Sequence, residues 1–566
     1  SGRSGGGTRI NITGQGFDSS SNTVSIDGSP CVIVSQSETE IICDTESHAG
    51  SGTFSVDVEV PGKGNAALPG DGNGLFKYVD RWSSIWTWGG LGIPQEGEFI
   101  VIEAGQEIVL DVTTPTLSFL LLNGGHLIFE REEDNLVLNS EFILLLNDGI
   151  LEIGTEDEPY LNTATIMLHG NVRCIELPIY GCKVLGVRKG FLELHGKPVN
   201  NTWTHLAVTA EANATEITLI DNVSDWEVGD EIIIPSTNNR HSMGENEKCV
   251  VSAISGDGKT LTLAEPLKYK HISISQTFGT TVVETRAEVG RITRNVKYQG
   301  SRQEEFIETI PACEKKFDSN QFASQSCFNG KFGEELGSDE FGAVTLYAVK
   351  NKNMFEAQIH LSYVEFFWVG QAFRVGRYPI HFHMMGNVTG SYARGCAVHN
   401  SFNRAMTIHG ISGVLAEQVV TYDIKGLSFF IEDGIEENNI VRRNLAVYTR
   451  QSSSLLNPDV TPASYWIVNP NNQIYENAAA GGTHFGFWFR IQRHPDGPSE
   501  TTSYCSNNVP LGVFRDNSAH TFGWYGLWIF SMDGYFPKDG TPEQGYCDGE
   551  NDVPAVFERC CPFLNL

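Results

Sequence analysis

Positive charge is scarce in this chain of 566 residues, which has 39 Lys and Arg against 69 Asp and Glu and a net charge of −30. Such a chain repels phosphate, and because no basic stripe offsets the repulsion, the sequence excludes a nucleic-acid partner. Salt screens charges beyond about 8 Å, so a local basic groove can still bind an anion. The alternative to anion binding is that each arginine forms an ordinary ion pair on the surface. Three arginines are our candidates for binding an acidic substrate: Arg377, Arg404 and Arg490.

Long apolar runs and helical periodicity are also missing. No stretch of 18 apolar residues free of charge occurs, so we expect no membrane span in this chain. Between residue 81 and about residue 200, no useful length of sequence has apolar residues at a helical spacing. The first residues, "SGRSGGGTRI", contain neither a Met nor a signal peptide, and we interpret the chain as processed or as a piece of a longer protein.

The 12 cysteines include no C-x-x-C pair, so a zinc-finger pattern is absent. Three pairs bracket short segments, which is typical of local disulfides in an oxidising compartment. We predict the disulfides Cys31–Cys43, Cys174–Cys182 and Cys313–Cys327. Five N-x-S/T sequons point to the same compartment, and they predict glycosylation at Asn11, Asn200, Asn213, Asn222 and Asn387. The chain is therefore predicted to be an extracellular glycoprotein.

What the sequence does contain is short apolar runs cut by its 59 glycines and by Asn and Asp, a pattern that favours many short strands. Near the start, "GTRINITGQGF" resembles the signature of IPT/TIG immunoglobulin-like domains, although the strand that normally precedes it is missing. From residue 81, short runs such as the "LLL" in "EFILLLNDGILEIGT" are apolar at every position, as in stacked parallel sheets. With Gly at each corner, they resemble the G8 domain.

A weak repeat in the C-terminal part predicts a right-handed parallel β-helix, so the fold class is all-β. His383 and His409 are 26 residues apart, and His409 lies 23 residues before Glu432. Steps of this size suit one coil of such a helix. Asn477 and Asn517 recur at equivalent positions, and we expect them to form a buried ladder that satisfies turn backbone groups.

The segment "YPIHFHMMG" at residues 378–386 carries the candidate site. If Phe382, Ile408 and Ile431 point inward, the histidines beside them point outward, and adjacent coils lie about 4.8 Å apart. His381, His383, His409 and Glu432 then converge on one outer face, with Asp433 at its edge. Three roles are open: a metal site that uses His381 and His383, an acid–base group for glycosidic chemistry, or a polar stack that holds the coils in register.

Taken in order, "GRYPIHFHMMG", "FFIEDGIEENN", "AAAGGTHFGFWFR" and "HPDGPS" resemble the family of G8-domain and parallel β-helix proteins that includes fibrocystin, fibrocystin-L and hyaluronan-degrading proteins. "HPDGPS" and the preceding IPT domain favour the fibrocystin-L branch. The resemblance implies an IPT/TIG domain at 1–79, a G8 domain at 80–202, a β-rich continuation with a disulfide-pinned loop at 203–340 and parallel β-helix repeats at 341–566.

Two functions follow from this resemblance. The first is a non-enzymatic segment of a large, membrane-anchored, cell-surface glycoprotein that acts in adhesion, in a surface coat or in recognition of an extracellular protein or glycan. The second is a hyaluronan-cleaving hydrolase with Ca²⁺ as its candidate cofactor, for which the catalytic residues map onto His383, His409, Glu432 and Asp433. A lyase acting on another polyuronide shares the fold, but a fold alone indicates no activity.

Overall fold

The computed structural model describes residues 1–48, 52–67, 74–171, 174–302, 340–349, 357–372, 374–452, 460–529 and 555–562. Within these residues, three parallel sheets of 12, 11 and 10 strands wind around one axis as a β-helix. The predicted all-β fold class is therefore confirmed. In this part of the chain, we find no helix with the length and apolar character needed to cross a bilayer.

Each coil of the β-helix contributes up to one strand to each of the three sheets. The first sheet consists of Asp80–Arg81, Glu107–Leu110, His126–Phe129, Gly149–Ile153, Gly190–His195, Ala357–Ser362, Tyr392–Arg394, Leu415–Glu417, Ile440–Arg442, Gln473–Tyr475, Val513–Arg515 and Phe557–Glu558. The second sheet consists of Phe99–Glu103, Phe119–Asn123, Phe142–Leu146, Val184–Val187, Val344–Ala348, Ile380–Asn387, Met406–Ser412, Phe429–Ile431, Ala463–Ile467, Phe485–Phe489 and Tyr525–Ile529. The third sheet consists of Leu136–Ser140, Ala164–Leu168, Val296–Gly300, Val364–Val369, Ala397–Ser401, Val420–Lys425, Leu445–Arg450, Ala478–Gly482, Ser518–Phe522 and Cys561–Pro562.

The interior of the β-helix is a continuous apolar core to which all three sheets contribute. Leu120 and Leu122 of the second sheet, Leu127 of the first and Leu138 of the third are fully buried in it. Removing one such side chain from water is worth about 1.5–3 kcal/mol, so repetition of the pattern stabilises every coil against its neighbours.

A ladder of buried asparagines lines one corner of the β-helix, as the repeat predicts. Asn444 Nδ2 donates to Asn477 Oδ1 at 3.0 Å, and Asn477 Nδ2 donates to Asn517 Oδ1 at 3.0 Å. The same carbonyl oxygens accept the backbone N–H of Asn444 and of Asn477. The side chains thereby satisfy backbone groups at a corner where the strands end.

The N-terminal unit is an antiparallel sheet outside the β-helix. Its strands are Arg9–Thr13, Thr23–Ile26, Ser29–Gln36, Glu40–Thr45, Gly52–Val60, Gly64–Asn65 and Leu75–Tyr78. A Cys31–Cys43 disulfide joins two of these strands, and Cys174–Cys182 closes a loop before the second-sheet strand Val184–Val187. Both disulfides agree with the predicted pairs, whereas Cys313 and Cys327 lie outside the described residues.

A second antiparallel unit lies beside the β-helix. Its strands are Trp203–His205, Glu216–Thr218, Glu231–Ile234, Glu247–Ile254, Thr260–Leu263 and Glu288–Arg291, with a hairpin of Ser273–Phe278 and Thr281–Arg286. Ile233 and Ile292 pack on the outer face of the third sheet against Val420 and Leu445. We call this the side unit. It is inserted within one coil of the β-helix, between Gly190–His195 of the first sheet and Val296–Gly300 of the third. Gly190–His195 nevertheless stacks directly on Ala357–Ser362 of the next coil.

Three short 3₁₀ turns complete the described elements, at Ile85–Trp88, Gly497–Ser499 and Ser506–Asn508. The second of these contacts the candidate site.

Candidate functional site

The strand Ile380–Asn387 and its neighbours in the second sheet position the candidate site. His383 pairs with His409, and Ile408 pairs with Ile431, so Glu432 follows directly on the next coil. Phe382, Ile408 and Ile431 point into the core. Because side chains alternate along a strand, the residues next to them lie on the outside of the sheet. The structure therefore brings His381, His383, His409, Glu432 and Asp433 together, while their chemical roles stay predictions.

His409 is the centre of this group, which we call the histidine cluster. Its Nε2 lies 2.8 Å from Asp433 Oδ2, and its Nδ1 lies 3.1 Å from His383 Nδ1 and 3.4 Å from Glu432 Oε2. The His409 ring thus connects the carboxylates of Asp433 and Glu432 to each other and to the imidazole of His383. Such an arrangement can transfer or store a proton, and it can also hold a cation.

His381 lies behind this pair. Its ring is 5.1 Å from that of His383 and stacks at 6.0 Å on that of His409. Nδ1 is 3.1 Å from the carbonyl oxygen of Gly376, which fixes the orientation of the ring. Nε2 has no hydrogen-bond partner among the described residues. His381 therefore presents one uncommitted nitrogen toward the cluster.

The cluster is more deeply buried than an outward-facing group is expected to be. His381, His409 and Asp433 are 1%, 4% and 2% exposed. Different segments cover different members. The turn Gly497–Ser499 lies against Asp433, where the Ser499 N–H donates to Asp433 Oδ2 at 3.0 Å, and the chain at Gly376 lies against His381. His383 and Glu432 are the members that keep some contact with solvent.

The pKa values of the three histidines are pushed in different directions. Burial, and then the charge on His409, lowers the pKa of His383 to about 4. Burial and the neighbouring histidines hold the pKa of His381 well below its usual value. Burial opposes charge on His409 as well, but the hydrogen bond to Asp433 and the charge of Glu432 raise its pKa. Of the three rings, His409 is therefore the one whose surroundings favour the protonated form.

The three candidate arginines lie in different environments. Arg404 is buried, with its guanidinium 3.8 Å from the centre of the Phe430 ring and one nitrogen 3.7 Å from Glu432 Oε2. Arg377 is also buried, and it donates to the Ile179 carbonyl oxygen. Arg490 is half-buried over Trp466. Of the three, Arg490 is the one that lies beside this face and is also partly exposed. The substrate-binding role of all three stays a prediction.

Glu436 is a residue that the sequence reasoning missed. It is fully buried, and its carboxylate accepts the backbone N–H groups of Gly410, Asp433 and Gly434 at 2.8, 3.1 and 2.7 Å. These bonds hold the turn that aims Asp433 at His409. The acidic run "EDGIEENN" contains Glu436, but a single buried member cannot be told from its exposed neighbours without the structure.

An aromatic ladder lies on the same outer face, and the sequence reasoning missed it too. Phe430 pairs with Trp466, Trp466 with Trp488, and Trp488 with Trp528 on four successive coils. The indole nitrogens of Trp466 and Trp488 have no hydrogen-bond partner in the described part of the chain. Beyond Trp488, Trp524 and Tyr525 are about half exposed. The recurring aromatic residue before "IEDG", "IVNP", "FR" and "IF" is the signal that could have revealed the ladder.

Metal binding can be judged from the donor atoms. One nitrogen from each of His381, His383 and His409 lies within 4.8 Å of the others, and so do ligand atoms of His409, Glu432 and Asp433. Imidazole-rich sets suit Zn²⁺ and related ions, whereas Ca²⁺ takes six to eight oxygen ligands. The candidate cofactor Ca²⁺ therefore does not fit this cluster.

The five sequons lie at exposed positions, with Asn11, Asn200, Asn213, Asn222 and Asn387 all in contact with solvent. Asn387 Oδ1 accepts hydrogen bonds from the backbone N–H and the hydroxyl of Thr389, so the sequon forms a compact turn. Access by a glycosyltransferase is thereby possible at each, and the glycosylation stays a prediction.

Three family models match the chain in succession. The IPT/TIG domain matches residues 1–78, the G8 domain matches 87–207 and the CEMIP beta-helix matches 341–527.

Among curated proteins, the chain is 48% identical to "Fibrocystin-L" of Homo sapiens over 98% of its own length and 13% of that protein. It is 29% identical to "Fibrocystin" of Canis lupus familiaris over 90% of its own length and 12% of that protein. The chain thus spans about an eighth of the length of these relatives. A solved tailspike of Acinetobacter baumannii bacteriophage AP22 is 9% identical over 81% of this chain and 74% of the tailspike, with a TM-score of 0.19, which is too low to support an argument.

Proposed function

From the match of this chain to IPT/TIG, G8 and CEMIP beta-helix models and its 48% identity to fibrocystin-L, we infer that it belongs to an extracellular cell-surface glycoprotein of the fibrocystin-L-like family and recognises a glycan. The disulfides and the exposed sequons support the extracellular location. The binding surface in this proposal is the outer face of the second sheet, from the histidine cluster to the exposed end of the aromatic ladder.

The aromatic ladder is the observation that carries the proposal. Its rings repeat once per coil, with centres 5.8 Å apart for Phe430 and Trp466 and 4.5 Å apart for Trp466 and Trp488. Aromatic rings offer an apolar face with a polar tip, and the C–H face of a sugar ring packs on such a surface. Phe430 and Trp466 are only 4% and 3% exposed, so a saccharide has access to the far end of the ladder, at Trp488 and Trp528 with the exposed Trp524 and Tyr525 beside them.

The charges beside the ladder favour a saccharide that carries carboxylates. The guanidinium of Arg490 lies 5.5 Å from the centre of the Trp466 ring and is partly exposed, and Arg240 lines the recess at the exposed end with Trp524. An arginine can form two parallel hydrogen bonds to one carboxylate. Each of these two arginines acts on a ligand at short range, whereas the repulsion from the more distant negative charges of the chain is screened by salt.

Binding of the purified chain to immobilised saccharides tests this proposal, with hyaluronan as the acidic probe and a neutral polymer beside it. We expect Trp488→Ala and Trp528→Ala each to weaken hyaluronan binding at least tenfold. Trp86→Ala is the matched control, since Trp86 is an exposed tryptophan remote in the fold from the second-sheet face. Equal binding by all three variants, or no binding by the wild type, contradicts the proposal.

Hydrolysis of hyaluronan is a second candidate, and the hydrogen-bonded chain from Asp433 through His409 to His383 is the observation that favours it. Incubation with hyaluronan of high molecular weight, followed by size analysis, separates this candidate from binding alone. Unchanged polymer length eliminates the enzyme. Shortening that persists after combined His383→Ala and Glu432→Ala substitution eliminates the histidine cluster as its site.

A further inference from the structure

A second group of histidines and carboxylates lies on the first sheet, away from the face described above. The strands Gly190–His195 and Ala357–Ser362 are neighbours there, and Glu193 pairs with His360. After the first strand the chain forms the side unit, then the strands Val296–Gly300 and Val344–Ala348 of the other two sheets, and only then the second strand. Glu193 and His360 are therefore 167 positions apart in sequence although they lie on neighbouring coils.

Glu193 lies between two imidazoles. His195 Nε2 is 2.8 Å from Glu193 Oε2, and His360 Nδ1 is 2.8 Å from Oε1 and 2.9 Å from Oε2 of the same carboxylate. One ligand atom from each of the three residues lies within 4.8 Å of the others. Three donor atoms therefore already surround a single point.

The burial of His195 distinguishes this group from an ordinary cluster of charged side chains on the surface. The ring is 1% exposed, and its Nδ1 has no hydrogen-bond partner among the described residues. The other nitrogen, Nε2, faces Glu193 and is the atom that would bind a metal ion, so the group is built around a buried imidazole.

The surroundings hold the second imidazole in place. The Tyr392 ring stacks on His360 with centres 4.7 Å apart and planes 8° apart. Glu156, the next carboxylate on this side, is already paired with Arg394 at 2.8 Å. Glu193 is thus left as the anion that faces both rings.

We propose that Glu193, His195 and His360 bind one divalent transition-metal ion, with Zn²⁺ as the best match. Zn²⁺ takes imidazole nitrogen and carboxylate oxygen at about 2.0–2.2 Å, and two histidines with one carboxylate form a common three-residue set with an open fourth position. His360 has a side chain that is one fifth exposed, which provides a path for the ion and for a water ligand. The ion would connect the coil that contains the side unit to the next coil.

Zinc binding by the folded chain tests the proposal, with bound metal measured by elemental analysis after dialysis and by calorimetric titration. We expect His360→Ala to bind one Zn²⁺ fewer than the wild type. His126→Ala is the matched control because His126 lies on the same sheet with a similar exposure and bonds to Glu152 at 3.0 Å, yet it belongs to no three-residue ligand set among the described residues. This variant is expected to keep the wild-type number of ions.

Two further variants keep the result interpretable. His409→Ala removes the imidazole shared by both ligand sets of the histidine cluster, and it should leave the His360-dependent ion in place. His360→Gln separates loss of the ligand from loss of the fold, since circular dichroism should match the wild type while the zinc-dependent rise in Tm disappears. Equal zinc binding by the wild type and His360→Ala, or a wild type that binds no zinc, overturns the proposal. Saccharide binding is measured separately, so failure of either proposal is recognised independently.

Discussion

Asp433 Oδ2 lies 2.8 Å from His409 Nε2, and this contact sets the state of the whole histidine cluster. A carboxylate only accepts hydrogen bonds, so it holds the proton of His409 on Nε2. When both rings are neutral, His409 Nδ1 is left to accept the Nδ1–H of His383 at 3.1 Å. When His409 takes up a second proton, it becomes the donor to His383. The protonation of one ring therefore reverses the hydrogen bond to the other.

The first prediction concerns acid unfolding. The pKa of His383 is about 4 in the folded protein against an ordinary value of 6.5. Between these values the unfolded state binds a proton that the folded state does not, so stability falls as pH is lowered from 6.5 to 4, by roughly 3 kcal/mol from this group. His409 has the opposite sign, since its pKa is raised and its contribution is lost only as pH rises.

Urea unfolding between pH 4 and 7.5, followed by tryptophan fluorescence, measures this effect. His383→Gln should lose less stability than the wild type on acidification. His241→Gln changes an exposed histidine outside the cluster and should leave the pH dependence unaltered. Identical pH dependence in the wild type and His383→Gln would count against a depressed pKa at this position.

The second prediction concerns the turn that covers Asp433. Gly497 has φ +61°, and a Cβ at this position would lie 2.5 Å from Asp433 Oδ1. Gly497→Ala should therefore destabilise the fold by about 2 kcal/mol and displace the turn from the cluster. Gly279 has a similar φ of +64°, but a Cβ added there meets nothing within 4 Å. Gly279→Ala therefore measures the cost of the left-handed backbone conformation alone. A Gly497→Ala variant no less stable than Gly279→Ala would show that the contact with Asp433 is unimportant.

The third prediction concerns the asparagine ladder. Asn477→Ala removes the acceptor for two donors of Asn444 and the donor to the Val441 carbonyl oxygen, all within the buried corner. Each buried group left without a partner costs about 1–3 kcal/mol, so we expect a loss of at least 3 kcal/mol in the free energy of unfolding. Asn471 is half-buried and lies outside the ladder. We expect Asn471→Ala to lower the free energy of unfolding, measured by chemical denaturation, by less than about 1 kcal/mol. Similar costs for the two variants would refute the structural role of the ladder.

The fourth prediction concerns Glu436. Gln at this position replaces one acceptor oxygen by an N–H₂ group that faces a backbone N–H, so Glu436→Gln should destabilise the turn by about 1–3 kcal/mol. Burial raises the pKa of this carboxyl group, and the backbone N–H groups of Gly410 and Gly434 partly offset that effect. Glu437→Gln is the neighbouring control. Faster amide exchange at Gly410 and Gly434 in Glu436→Gln alone is the expected signature, and unchanged exchange at both would argue against the assigned role.

Much of the second-sheet face follows from the spacing of residues in the sequence. Steps of 26 and 23 residues predict that His383, His409 and Glu432 lie on neighbouring coils, and the strand pairing confirms this register. The prediction succeeded because these coils have short turns, so one coil of chain corresponds to one visible repeat. The Asn477–Asn517 pair is confirmed although its step is 40 residues, because each Asn is recognised by the Gly-x-Trp that follows it and not by the length of the coil.

Burial at the cluster could not be predicted in this way. The turn Gly497–Ser499 lies some 65 residues beyond Asp433, and nothing in its composition shows which coil it covers. The buried environment of Arg377 likewise depends on the Cys174–Cys182 loop, which is distant in the chain. The outward direction of a side chain follows from strand alternation, whereas its contact with solvent depends on loops from other coils.

Strand alternation, the recurring apolar residues and the corner asparagines are local features, and they were sufficient for the all-β class and for the neighbours of His409. The contact between Glu193 and His360 has no such local origin, because the coil between them contains the side unit and is far longer than 23–26 residues, which places the two residues 167 positions apart on strands that stack directly. A periodic sequence reveals which residues are one coil apart. An inserted segment can have any length, so the sequence does not show which residues on either side of it are one coil apart. Only the tertiary structure shows that Glu193 and His360 are neighbours.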